Sequence, residues 1–280
     1  LISGIRASAE ATPLEYLVTH PDRTAPLPRN RLLAALRPDD LIRLWPQLQL
    51  IELPARRTLQ AAEEPITSIY FPEDGYLSRL TTMENGEAAE VGLIGSEGMT
   101  GLATLLGDDC DSFEIMVQVP GQALRISAQA FCGALAGLPS LQPLLLRYAL
   151  AHFEQVARTG VCNGRHRTEQ RLARWLLMAH DRVKGDDFPI THEILSMMLG
   201  VRRSGITIAA GVLQKAGHIR YERGQIRITD RPGLEASACE CYGTAWRAQE
   251  RLLAWPRTAR VLPRCCDAPP ACDPARSAQL

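Results

Sequence analysis

Aromatic residues make up only 5% of this 280-residue chain, and no run of 18 apolar residues occurs in it. The first shortage means that any core must be filled by leucine, isoleucine, valine and alanine. The second leaves no candidate for a membrane-spanning helix. No charged N-terminal segment precedes an apolar one, so no secretory signal is expected, and because the chain begins at Leu1 its true start is left open. The eight cysteines (Cys110, Cys132, Cys162, Cys239, Cys241, Cys265, Cys266 and Cys272) contain no C-x-x-C pair. Spread over so long a chain, they fit neither a small disulfide scaffold nor a zinc ribbon. No nucleophile-and-base pair or metal constellation stands out. The expectation is therefore no enzyme, no catalytic residue, no metal, no cofactor, and a cytoplasmic protein with reduced thiols.

What is present is charge, unevenly placed. Hydrophobic content of 46% and charged content of 22% are ordinary for a globular protein of about two domains. The net charge is zero, yet residues 31–128 carry 7 Lys+Arg against 15 Asp+Glu, and residues 147–231 carry 15 against 8. Those balances, −8 and +7, suggest an acidic module joined to one that meets a polyanion.

The texture of the chain divides it the same way. Residues 1–30 read as a loose leader with a short helix near "PLEYLV". Residues 31–138 open with two short helices divided at Pro38. They continue as strand-like stretches ("LQLIEL", "SIYF", "YLSRLTTM", "AAEVGLI", "FEIMVQV", "QALRI") separated by turn signals, the pattern of an antiparallel sandwich or barrel. "ENGE" holds an Asn-Gly pair that favours a two-residue hairpin. Residues 139–164 form a long helix starting near Ser140, where Pro143 is tolerable only in the first turn. Its stripe either packs on its own domain or forms a two-chain seam. Leu146, Leu150, Phe153 and Ala157, stepping 4-3-4, support the seam. Residues 165–235 add a helix with Leu172, Trp175, Leu176 and Ala179 inward, then "FPITHEILSMMLG", a turn at Gly200, an arginine-led helix ended by Gly217, and a hairpin turning at Arg223-Gly224. Residues 236–280 hold a C-terminal helix and a tail, "PRCCDAPPACDPARSAQL", too polar and Pro-rich to offset its ordering entropy.

Two short helices joined by a glycine turn, the second opening with basic residues and followed by a hairpin, describe a winged helix-turn-helix. The second helix must enter a major groove, so its first turn needs long donors. Its other face (Ile206, Ala209, Ala210, Leu213) must pack on Ile194, Leu195 and Met198. The wing can place Arg223 and Arg227 on flanking phosphates. The stretch "THEILSMMLGVRRSGITIAAGVLQKAGHI" then matches, without a gap, the helix-turn-helix pattern T-x-x-x-L-x-x-x-L-G-V-S-R of the Crp/Fnr family of bacterial transcription regulators. The order β-rich module, long helix, winged helix resembles that family over roughly residues 31–235.

This resemblance implies an α+β protein: an antiparallel β-roll or jelly-roll sensor of the cyclic-nucleotide-binding type, a long dimerisation helix and a C-terminal winged helix-turn-helix. It implies homodimers on double-stranded DNA, with RNA polymerase a further candidate partner. Arg203 matches the family's DNA-contacting arginine, but Arg202 replaces the serine before it, Ser204 the acidic residue after it, and Ile208 a second base-reading arginine. The candidate contacts are Arg202, Arg203, Ser204 and Thr207, with Gly205 permitting close approach. In the sensor, "GSEGMTGLATLLGDDCDSFEIMVQV" matches the phosphate-cradling turn. Gly95, Gly98 and Gly101 are kept, but the family's ribose-binding glutamate is Leu102 and its phosphate-binding arginine falls at about Asp111, which disfavours cyclic AMP and leaves the effector open. The family's iron–sulfur branch uses N-terminal cysteines, and none here precedes Cys110. Cys239 and Cys241, taken to lie on one helix, point apart and read as ordinary thiols. His166, His180 and His192 show no ligand spacing and read as solvent-facing or polar contacts. The alternative function is a ligand-binding module acting on a protein partner, with a degenerate DNA-binding domain.

Overall fold

The computed structural model describes residues 27–253. The expected leader (apart from its last four residues) and the Pro- and Ala-rich tail lie outside the described residues.

Asn30 caps a short helix, α1 (Arg31–Ala34), its side-chain oxygen accepting from the amides of Leu32 and Leu33 at 3.1 and 3.2 Å. Its amide nitrogen donates to the carbonyls of Pro72 and Gly98 at 3.0 and 2.8 Å, so the cap also fastens the helix to the sheet behind it. Pro38 begins α2 (Pro38–Leu44), where its missing N–H costs nothing.

Seven strands follow: β1 (Gln49–Leu53), β2 (Thr58–Gln60), β3 (Ser68–Pro72), β4 (Tyr76–Thr82), β5 (Ala88–Ile94), β6 (Glu114–Val119) and β7 (Gly121–Ser127). They make two antiparallel sheets, ordered β1-β7-β3 and β2-β6-β4-β5. Alternation sorts their side chains. Leu53, Tyr70 and Ala123 of one sheet meet Leu77, Ile94, Ile115 and Val117 of the other. Ile69, Phe71, Leu124 and Ile126 point the opposite way, under α1, α2 and α4 (Ala128–Gly137). A further short helix, α3 (Leu102–Leu106), leaves the glycine-rich turn. The Asn-Gly hairpin differs from expectation. Met83 N–H donates to the Glu87 carbonyl at 2.8 Å and only Gly86 takes positive φ, so the loop has three residues and a glycine bulge. The two-residue turn occurs instead in the wing, where Arg223 and Gly224 both take positive φ, at 49° and 79°.

The long helix α5 (Leu141–Arg165) has two faces. Leu141, Leu144, Leu145, Tyr148, Ala151 and His152 are buried against the roll. Leu146, Leu150 and Phe153 are 46%, 47% and 69% exposed, and Ala157 is exposed beside them. Next come α6 (Thr168–His180), β8 (Asp187–Pro189), α7 (His192–Leu199), α8 (Arg203–Lys215), β9 (Ile219–Glu222), β10 (Gln225–Ile228), α9 (Arg231–Ser237) and α10 (Cys241–Leu253). The wing is three-stranded, ordered β8-β10-β9. The sequence reading missed β2 and β8, whose three residues each are too few for an alternating signal. Among the described residues no single helix is long and apolar enough to cross a membrane.

One hydrophobic cluster joins the roll to the winged helix. Tyr76, Leu80 and Leu93 share it with Leu172, Trp175, Leu176, Leu195 and Met198. Inside this seam lies Glu90 of β5, only 7% exposed, accepting from the Trp175 indole and the Ser78 hydroxyl, both at 2.7 Å. A second buried carboxylate, Glu97 of the glycine turn, pairs with Arg182 just beyond α6 at 2.5 Å. Burial pushes the Glu90 carboxyl up to about 7, against the pull of its two hydrogen bonds and of Arg174 and Arg182. A carboxyl whose pKa is raised by folding favours the folded state fully at low pH, and that advantage is lost as pH rises through about 7. Thermal melts should therefore show wild type losing stability between about pH 5 and pH 7 relative to Glu90→Gln, which cannot ionise. Parallel pH profiles for the two proteins would mean that Glu90 ionises freely in the folded chain.

Candidate nucleic-acid interface and sensor pocket

The helix-turn-helix forms where its apolar spacing requires. Thr191 caps α7 by accepting from Ile194 N–H at 3.2 Å, and Gly200 ends it in the left-handed region at φ 58°. Ile206, Ala209, Ala210 and Leu213 of α8 are buried in one cluster with Leu195 and Met198, and Ile194 packs at its edge.

That packing fixes which side of α8 faces out. Arg202, at the N-cap, and Arg203, Ser204, Thr207 and Ile208 are exposed, as are Gly211, Val212 and Lys215 further along. Among the described residues Arg202, Arg203 and Lys215 have no carboxylate within salt-bridge distance. A helix N-terminus carrying two unneutralised guanidiniums is a strong anion-binding surface. Two members are apolar, Ile208 at 70% and Val212 at 50% exposure; the sequence reading noted Ile208 only as a lost arginine and passed over Val212. Their signal was present, since neither fits the buried stripe, and exposed methyl groups on a groove-entering helix can contact thymine methyls.

Three expected contacts need correction or detail. The Thr207 hydroxyl donates to the Arg203 carbonyl and accepts from His192 Nδ1, each at 3.1 Å, so it is already committed within the motif. His192 in turn stacks on Tyr221 of the wing at 4.4 Å between ring centroids. Burial, aided by the Arg203 charge, lowers its pKa and keeps the ring neutral. Arg227 is not free for phosphate: it grips Asp187 of β8 through two bonds of 2.7 and 2.8 Å. Arg223, at the exposed wing tip, has no such partner among the described residues. Arg202 also borders a cleft of about 1120 Å³ between α7 and the Met83–Ala89 region of the roll.

The sensor turn is tightly closed. Gly101 takes φ 73° and its α-carbon faces the Ile69 side chain, while Gly98 lies directly against the Tyr148 hydroxyl of α5. Leu102 is buried. The gap between this turn and α5, bordered by Glu97, Tyr148 and His152, measures about 10 Å³, room for one water. Asp111 corrects the expectation of a bare repulsive charge: it is buried in an ion pair with Arg79 of β4, which also contacts His152 Nε2 at 3.0 Å and lies over the Phe113 ring. His152 is held neutral, its pKa pushed down to about 3 by burial and by Arg79.

The cysteine reading also needs correction. Cys239 precedes α10 in an irregular segment and Cys241 is its first residue, so they do not share a helical face pattern. The structure brings both onto Cys162 and His166 at the end of α5.

Comparison with known proteins agrees with this architecture. Residues 50–136 match the family model of the cyclic nucleotide-binding domain, and residues 170–237 match that of the Crp-like helix-turn-helix domain. Curated proteins give no match. Among solved structures, FixK2 from Bradyrhizobium japonicum is 13% identical with a TM-score of 0.60, covering 69% of this chain and 98% of its own. A putative Crp/Fnr-family transcriptional regulator from Eubacterium rectale is 18% identical with a TM-score of 0.60, covering 74% and 96%. The c-di-GMP responsive global regulator CLP from Xanthomonas campestris is 16% identical with a TM-score of 0.52, covering 69% and 99%. With a cyclic-nucleotide-binding-type roll, a long helix and a Crp-like winged helix in one chain, this protein belongs to the Crp/Fnr family of DNA-binding transcription regulators.

Proposed function

We propose that the protein acts in the cytoplasm as a homodimer that recognises a specific double-stranded DNA site through α8 and recruits or blocks RNA polymerase there. The observation that carries this reading is the exposed N-terminus of α8, where Arg202 and Arg203 stand without a carboxylate partner. Arg202, Arg203 and Ser204 reach the DNA from the first turn. Ile208 and Val212 contribute apolar contacts that depend on thymine methyls. Arg223 at the wing tip meets a flanking phosphate, and Arg227 serves first to hold β10 against β8. An alternative in which the roll acts on a protein partner and the helix-turn-helix is degenerate gives no reason for that unneutralised charge. An operator selected from random DNA provides the test. Replacing Arg203 by Ala should weaken binding to it by roughly 1–3 kcal/mol at fixed salt and relax base preference. Equal affinity for wild type and variant would remove α8 from the interface.

The outward stripe of α5 supports the dimer. A residue such as Phe153, 69% exposed on an ordered helix, would leave a large apolar surface in water unless a second copy covers it. The spacing of Leu146, Leu150, Phe153 and Ala157 suits a helix pair, and the small Ala157 lets the backbones approach. Phe153→Asp should sediment as a monomer and lose binding to two half-sites about 34 Å apart. A variant that still sediments as a dimer would place the interface elsewhere.

We further propose that the roll does not sense cyclic AMP in the usual way of its family. Entry of a phosphate would require displacing Tyr148 from Gly98, and two buried arginines of this region, Arg79 and Arg182, are both committed to carboxylates. Burying an unpaired phosphate costs several kcal/mol. Calorimetry with cyclic AMP and cyclic GMP should show no binding; micromolar affinity for either would restore a nucleotide-sensing role to Gly95, Gly98, Gly101 and Leu102.

A further inference from the structure

Away from the roll and from α8, Cys162, Cys239 and Cys241 form a separate buried cluster, at 0%, 4% and 1% exposure. Cys162 lies in the last turn of α5 and His166 is the extended C-cap residue that ends the helix. Cys239 and Cys241 come from the junction between α9 and α10, after the wing. Four ligand atoms, three sulfurs and one imidazole nitrogen, lie within 4.8 Å of one another. The Cys162 and Cys239 sulfurs are 3.4 Å apart, and the Cys241 sulfur is 3.8 Å from His166 Nδ1.

We propose that these four side chains bind one tetrahedral divalent ion of the zinc class. Metal–sulfur distances of about 2.3 Å and metal–nitrogen distances of about 2.0 Å give a tetrahedron with edges of roughly 3.5–3.8 Å. The sulfur–sulfur edge of 3.4 Å is a few tenths of an ångström shorter, and the sulfur–nitrogen edge of 3.8 Å a few tenths longer, than the corresponding ideal edges, shifts that small side-chain rotations supply. The same compactness excludes an iron–sulfur cluster, whose bridging sulfides need room between the cysteines. A gap of 3.4 Å is also well beyond a disulfide bond.

Two neighbours complete the site independently of the sulfurs. His166 turns Nδ1 toward Cys241 and its other nitrogen, Nε2, toward Glu240 at 3.3 Å. A carboxylate on the far nitrogen is the usual means of fixing a ligating imidazole's tautomer and orientation. Arg171 and Arg174 are also buried, at 7% and 3% exposure, and neither has a carboxylate within salt-bridge distance among the described residues. Arg171 donates to Asn163 Oδ1 at 3.1 Å and Arg174 to the Thr159 hydroxyl at 3.2 Å, which holds both guanidiniums beside the turns of α5 that flank Cys162. Three thiolates and a divalent ion carry one net negative charge, for which neighbouring cations are a favourable surrounding. On binding, the three thiol protons pass to solvent and no electron is transferred.

The ion would tie the end of the long helix to the segment that closes the winged helix. α10 then runs antiparallel along α5, as the Arg251–Glu154 pair at 3.2 Å shows. The site thus fixes the DNA-binding region relative to the helix on which the proposed dimer forms.

The test is cobalt substitution in the full-length protein, which requires no knowledge of operator or effector. Demetallated, reduced protein titrated with Co²⁺ should develop the intense visible bands of a tetrahedral cobalt thiolate, saturating at one ion per chain and bleached by one equivalent of Zn²⁺. Cys241→Ser and His166→Ala should weaken binding at least tenfold. Cys132→Ser and the triple replacement of Cys265, Cys266 and Cys272 by Ser should retain it. Absence of the bands in wild type, bands that survive in Cys241→Ser, or recovery of a Cys162–Cys239 disulfide in metal-free native protein would overturn the proposal. The wild-type spectrum decides even if a variant fails to fold.

Discussion

Two buried carboxylates hold the winged helix against the roll, and the arrangement of the whole molecule depends on them. Glu90 receives Trp175 and Ser78, and Glu97 receives Arg182, so the contact between the two regions is polar at its centre and apolar around it. A buried carboxylate is tolerated only while its partners stay in place. The seam is consequently specific in geometry and sensitive to proton loss from Glu90. Glu97 also belongs to the glycine turn of the sensor. Any movement of that turn is felt directly at the end of α6, without a long chain of intermediates.

The long helix α5 is the second organising element, because each of its faces has a different task. One face closes the roll, with Tyr148 on Gly98 and His152 on Arg79. The opposite face offers Leu146, Leu150 and Phe153 to the proposed partner copy. Its last turn and C-cap bring Cys162 and His166 to the cysteines that follow the wing. Sensor, proposed dimer seam and DNA-binding region therefore meet on one rigid rod. A change at the turn, at the seam or at the sulfur cluster would alter the pose of α8 through the same element.

Much of this was legible in the chain. Six strands, the long helix and the helix-turn-helix follow from periodicity and turn residues, because each is specified by contacts local in sequence or by one continuous buried stripe. The exposed arginines of α8 were legible for the same reason, as residues that the buried stripe cannot accommodate. Pairings across large separations were not. Nothing in the sequence says that Arg227 will take Asp187, that Arg79 will neutralise Asp111, or that the Asn-Gly turn will bulge. Each depends on which strands become neighbours.

The cysteines show the division most clearly. Sequence alone set the fold class, the family and the face of α8 that meets solvent, because hydrophobic spacing along a helix or strand is a local property that survives any tertiary arrangement. It gave no sign that Cys162 at the end of α5 and His166 just beyond it would stand together. Whether they meet Cys239 and Cys241, 77 and 75 residues onward, was decided only when the winged helix packed on the roll and α10 returned along α5. A ligand site assembled from two helices and a junction has no spacing rule, because the distance between its halves is set by the volume of everything folded between them.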